Sequence, residues 1–125
     1  MGMSHTVTPA ELFETARPYG DTPFLLYVGS SGNARVNHVV AHLSDGSDRV
    51  VVTGFGRGVP NMLSVDTTLS LLWPPHSVGG LSLIADGTGV MEQADDGDEE
   101  TEHLVLTITG AVLHRPAPVD GSSTC

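Results

Sequence analysis

The segment Thr53-Gly54-Phe55-Gly56-Arg57-Gly58, followed by Pro60, holds the residue types best suited to chemistry in this chain of 125 residues. Three glycines around one arginine let backbone N–H groups crowd an anion. A helix beginning at Pro60 would add a favourable dipole, and the Arg57 guanidinium can fork two phosphate oxygens. Read from these residues alone, the segment is either such an anion-binding turn or a surface turn carrying a solvated arginine. Other constellations are weaker. The chain has no Gly-x-Gly-x-x-Gly, Walker, serine-elbow or His-Glu-x-x-His pattern. His38 and His42 share a strand face, but residues four apart on a strand stand roughly 13 Å apart, so no metal is expected. Cys125, the lone cysteine, excludes an internal disulfide framework and a thiolate cluster. It could act as a nucleophile only from an ordered tail.

Fifteen acidic residues face five arginines and no lysine, a net charge of -10. Such a surface repels nucleic acid and anionic membranes. Any phosphate-bearing ligand must therefore be held by one or two particular arginines together with backbone amides. With 39% hydrophobic and 16% charged residues the chain is neither a disordered tail nor a coiled coil, and its length suits one domain with a modest core. No apolar run approaches the roughly 18 residues of a membrane span, and the start lacks the pattern of a signal peptide. A cytoplasmic protein in a reducing compartment is expected.

The elements that must position these residues are mostly short strands. First comes a helix signal, Thr8-Pro9-Ala10-Glu11: Thr8 caps, Pro9 suits the first helical position, and Glu11 can close a capping box, with Val7 and Leu12 placed for a hydrophobic staple. A short helix to about Ala16 follows, ended by Arg17-Pro18-Tyr19-Gly20. From Phe24 onward, β-type runs alternate with glycine, serine and aspartate punctuation. These runs are Phe24–Val28, Ala34–Leu43, Arg49–Thr53, Thr68–Trp73, Leu81–Met91 and Thr101–Arg115, with a brief helix over Pro60–Val65 between the third and fourth. In the last strand Leu104, Leu106, Ile108 and Val112 are expected on one face, and His103, Thr107 and Thr109 on the other. Gly87 and Gly89 let the sheet bend or another backbone approach.

Val36, Val40, Leu71 and Trp73 fall on faces that should stay wet, which predicts that a second face is buried against another copy of the chain, in a homodimer. The acidic run between the last two strands reads as a solvated hairpin tip rather than a calcium loop. Residues 1–22 read as a cap helix and linker belonging to the single domain, 23–116 as its body, and 117–125 as a mobile tail.

In its order of elements, and in the stretch from Thr53 through Arg57, Asn61 and Leu63 to Ser70-Leu71-Leu72-Trp73-Pro74, the chain resembles the pyridoxamine 5′-phosphate oxidase-like family of split-barrel flavoproteins. Gly80-Leu81-Ser82-Leu83-Ile84-Ala85-Asp86-Gly87-Thr88 is similar to a later strand of that family. Val112-Leu113-His114-Arg115-Pro116 resembles the end of a small, poorly characterised branch of it. The likeness runs from about Pro23 to Pro116.

The resemblance implies a mainly β fold, a six-stranded antiparallel split β-barrel of Greek-key type with two short helices. It further implies a homodimer that binds FMN at the subunit interface. Arg35, Val36, Asn37 and His38 would line the flavin and its phosphate. Thr53 would face the flavin, Gly54, Gly56 and Arg57 would form the phosphate turn with Asn61 beyond it, and Ser82 would reach the flavin from the partner subunit. Trp73 would pack rather than stack.

Two departures stand out. The family's Arg-Lys pair is reduced to Arg57-Gly58, and the C-terminal substrate segment of the vitamin B6 oxidase has no counterpart, which argues against pyridoxine phosphate oxidation. The implied function is FMN binding, as a flavin-dependent oxidoreductase or flavin reductase acting on a small molecule. The alternatives are a non-enzymatic binder of flavin, deazaflavin or heme on the same fold, and a dimeric scaffold whose cofactor site has decayed.

Overall fold

Along the strand Thr68–Trp73 the side chains alternate between outside and inside, and Leu69, Leu71 and Trp73 are essentially without exposure. That period of two is the rule for a sheet with one face on a core. The computed structural model describes residues 3–29, 31–63, 67–77, 80–93 and 102–115. Its strands are β1 (Met3–Val7), β2 (Phe24–Val28), β3 (Ala34–His38), β4 (Val40–His42), β5 (Arg49–Thr53), β6 (Thr68–Trp73), β7 (Ser82–Gln93) and β8 (Glu102–Arg115), with helices α1 (Leu12–Ala16) and α2 (Gly58–Leu63). All pairings are antiparallel, in the order β3-β2-β6-β7-β8-β5-β4, with β1 also paired to β8.

The expected strand Ala34–Leu43 breaks at Val39, which is 2% exposed. Its two halves, β3 and β4, stand at opposite ends of the strand order yet are consecutive in the chain. The Val39 N–H donates to the Pro23 carbonyl at 3.1 Å and the Ala41 N–H to that of Asp21 at 2.8 Å. The bend at Val39 thus carries the sheet back on itself. The result is a mainly β, antiparallel split barrel with two short helices, and the described residues form eight strands rather than the expected six, because Val39 divides one strand and Met3–Val7 adds another. Among the described residues no helix is long and apolar enough to cross a membrane.

Closure depends on glycine at β7. A Cβ on Gly87 would lie 2.5 Å from the Thr107 carbonyl oxygen, and one on Gly89 would lie 2.6 Å from Leu69 Cδ1. Beside Gly87 the pairing with β8 skips a residue: Gly87 faces Ile108 while Asp86 faces Gly110. An extra residue in one strand reverses which face each later side chain takes. Ala111 is accordingly buried, and Val112 turns outward instead of joining Leu104, Leu106 and Ile108. The expected clean alternation through Val112 is corrected by this bulge.

The expectation that Leu71 and Trp73 lie on a second, wet face is also overturned. Both are 0% exposed inside the protomer, and the Trp73 indole N–H donates to the Gly20 carbonyl at 3.0 Å. Of the four residues proposed for an outer apolar face, Val36 is 58% exposed and Val40 half-buried.

The N-terminal signals are realised with one addition. Glu11 accepts the Thr8 hydroxyl at 2.7 Å and the Thr8 backbone N–H at 3.0 Å, and those two bonds hold its carboxyl below the usual value. Because the shift is downward, this contribution is complete above the ordinary carboxylate range and is lost as pH falls. Val7 and Leu12 both join the core. Met3–Val7, which lacks an obvious strand pattern, pairs with the C-terminal part of β8 from Ala111 to Arg115. Helix α2 starts at Gly58 rather than Pro60, placing the proline in the first turn, where no N–H is needed. The expected acidic hairpin tip falls largely, and the tail with Cys125 wholly, outside the described residues.

Candidate functional site

The turn after β5 is built by glycine. Gly54 has φ 86°, a left-handed conformation that side-chain-bearing residues seldom adopt, and it reverses the chain directly after Thr53. Two residues on, the Gly56 N–H donates to Asn37 Oδ1 at 2.7 Å. Asn37 Nδ2 in turn donates to the Tyr27 hydroxyl oxygen at 3.3 Å. Tyr27 sits in β2 opposite Arg35 of β3, and its hydroxyl abuts Gly58: a Cβ there would be only 2.7 Å from the phenolic oxygen. A cleft of about 130 Å³ opens between these parts, lined by Tyr27, Gly29, Ser31, Arg35, Gly58 and Asn61. A separate trough of about 280 Å³ runs over the same strands on the outer face, walled by apolar groups that include Leu26, Val28 and Val36.

Charge singles out this region. Arg17 pairs with Glu14 at 3.2 Å and Arg49 with Glu92 at 2.9 Å. Among the described residues Arg35 donates to its neighbour's carbonyl, Ala34, at 3.1 Å. Among the described residues neither Arg35 nor Arg57 has a carboxylate partner. In a chain with three acidic residues for every arginine, two cations left uncompensated here are suited to an external anion. One of them lines the cleft and the other directly precedes Gly58, which lines it.

The structure sorts the sequence candidates into groups. Arg35 and Asn37 share a face of β3 with the inward Tyr27; Arg35 and Asn61 line the cleft, Asn37 joins Gly56 to the Tyr27 hydroxyl, and Arg57 immediately precedes the lining residue Gly58. Thr53 ends β5 half-buried, level with Val40, and Gly54 follows it. Val36 and His38 point to the outer face instead. The His38 ring stacks on Phe24 with centroids 4.8 Å apart, and its Nε2 lies 3.1 Å from the Thr22 carbonyl, so that nitrogen carries the proton. Ser82 is level with His114. It lies four residues of strand, roughly 13 Å, from Asp86, which is level with the Ser70–Leu26 pair beside the trough. Within one protomer Ser82 does not join the cluster. Sequence reasoning missed Tyr27, and placed Gly58 in the turn without the phenol that packs against it. The available signal was a tyrosine at an inward strand position, since a buried phenol needs a polar partner.

No family model matches the chain. It is 33% identical over 120 residues to two proteins described as uncharacterized, Mb0449c of Mycobacterium bovis and MT0457 of Mycobacterium tuberculosis, in each case across 88% of this chain and 83% of the relative. Among solved structures it is similar to one described as a "putative 5-nitroimidazole antibiotic resistance protein" from Bacteroides thetaiotaomicron. The TM-score is 0.61 at 12% identity, over 92% of this chain and 90% of the other. At that identity the likeness speaks for the fold alone.

Proposed function

The chain belongs to one family with the mycobacterial proteins Mb0449c and MT0457, and from that premise, the split-barrel fold and the geometry of the cleft we propose that it binds FMN. The observation that carries this reading is the pair of arginines, Arg35 lining the cleft and Arg57 next to its lining residue Gly58, which among the described residues have no carboxylate partner in an acidic protein. A phosphomonoester brings nearly two negative charges, and two guanidinium groups match it. The glycine turn adds room for backbone approach: a Cβ on Gly56 would crowd Asn37 Oδ1 at 3.1 Å.

As an enzyme, the protein would work as a flavin-dependent oxidoreductase or flavin reductase on a small molecule. The isoalloxazine ring supplies the electron-transfer chemistry when bound. The chain's part is to anchor the phosphate through Arg35 and Arg57 and to hold the turn in place through Asn37.

The same reading includes a homodimer. In register across five strands, His38, Phe24, Leu72, Ile84 and Val112 form a row on the outer face, half-exposed along its apolar members. A second copy covering this row would bury it, and Ser82 would then meet the flavin only from the partner. Sizing at micromolar concentration tests this part, and a monomer would refute it.

Absorbance of the purified protein tests the rest. We expect a flavin band, gained on adding FMN if lost in preparation, that bleaches with a nicotinamide donor. Bound flavin inert to donors would favour a carrier or sensor. Protein that ignores FMN but takes up deazaflavin or heme would reassign the ligand. Protein that takes up none of them would favour a scaffold with a decayed site.

A further inference from the structure

Gly58 stands where the family resemblance places the lysine of an Arg-Lys pair, and the structure shows what fills that space. A Cβ at position 58 would lie 2.7 Å from the Tyr27 hydroxyl oxygen and 3.7 Å from its Cζ. The phenol, delivered from β2, therefore occupies the volume into which a side chain at 58 would grow. Tyr27 is 8% exposed, so its orientation is set by packing. Its hydrogen bonding is set by Asn37. Because Asn37 Oδ1 accepts the Gly56 N–H at 2.7 Å, the amide can present only its NH₂ to Tyr27, at 3.3 Å. The phenolic oxygen thus acts as acceptor toward Asn37 and retains its own O–H to donate elsewhere. The open space beside it is the cleft that Tyr27 lines with Arg35, Ser31 and Asn61.

We infer that the Tyr27 hydroxyl is a binding group for the anionic end of the ligand, a neutral donor standing in for a cation at position 58, with Asn37 as the residue that orients it. The inference rests on the flavin reading above and deepens it. It names a third donor for the phosphate beside Arg35 and Arg57. It also gives a reason for glycine at 58, since any side chain there displaces the phenol. A hydroxyl donating to a phosphate oxygen makes a charge-assisted hydrogen bond, about twice as strong as a neutral pair.

The test compares FMN with riboflavin, which lacks the phosphate, in the wild-type protein and in Tyr27→Phe, by quenching of flavin fluorescence. The expected result is a rise of roughly tenfold in the FMN dissociation constant with riboflavin affinity unchanged. Gly58→Ala should weaken FMN to a similar degree. Combined with Tyr27→Phe it should add little, because the clash is with an oxygen no longer present. Equal FMN affinity in wild type and Tyr27→Phe overturns the inference and leaves the flavin reading standing. If the wild type binds neither flavin, that reading falls, and inorganic phosphate then decides the inference by amide shifts of Gly56 and Gly58. Shifts seen in the wild type and diminished in Tyr27→Phe support Tyr27 as an anion donor, and no shifts, or equal shifts in both, refute it.

Discussion

Trp73→Ala is expected to lower the unfolding free energy by about 3–5 kcal/mol, the range for deleting a large aromatic from a closed core. The indole is wholly buried, so its removal leaves a cavity lined by side chains from several strands, and β6 sits between β2 and β7 in the middle of the sheet. The same change frees the Gly20 carbonyl, which now receives the indole N–H at 3.0 Å. That bond ties the end of the N-terminal helical segment to the barrel. Trp73→Phe separates the two contributions. It keeps much of the packing and loses the bond, and should cost nearer 1 kcal/mol, since Gly20 is exposed and water can replace the donor. Urea unfolding of the three proteins checks both values. A loss below about 1.5 kcal/mol for Trp73→Ala, set against that range, would mean that the indole is not enclosed within the protomer.

Arg57→Ala is expected to weaken FMN binding by about 10- to 100-fold, the equivalent of one hydrogen bond to a charged group, while riboflavin affinity and particle size stay the same. The side chain makes no hydrogen bond or ion pair within the described chain, so its loss should leave the fold intact, and the melting temperature serves as the control. Arg35→Ala should act alike. If the guanidinium groups grip one phosphate together, the two substitutions combined should cost less than the sum of the separate losses. Unchanged FMN affinity in Arg57→Ala would remove that residue from the site, and attention would pass to Arg35 and Tyr27 alone.

The fold was legible where neighbours in the chain act on each other. The Thr8–Glu11 capping box, the positions of the strands from Phe24 onward and the glycine turn after Thr53 all follow from interactions spanning a few residues. Within the proposed site, Arg35, Asn37, Gly56 and Arg57 could be picked out by type and by resemblance, and the structure brings Asn37 and Gly56 into direct contact. Val36 and His38 were grouped with them by the same resemblance, which matched the strand as a whole. A strand sends adjacent side chains to opposite faces, and those two lie on the other side of the sheet.

What the amino-acid order determined by itself was the local vocabulary: which stretches extend, where they turn, and the scarcity of positive charge that makes each arginine informative. Only the tertiary structure decided which face each strand turns to the core. The bulge beside Gly87 sends Val112 outward, and curling of the sheet encloses Leu71 and Trp73. It alone also decided that Tyr27, 31 residues from Gly58, takes the space beside it. The reason is physical. Register and close approach between distant strands are set by the packing of the whole barrel, and no interaction within a short window of chain encodes them.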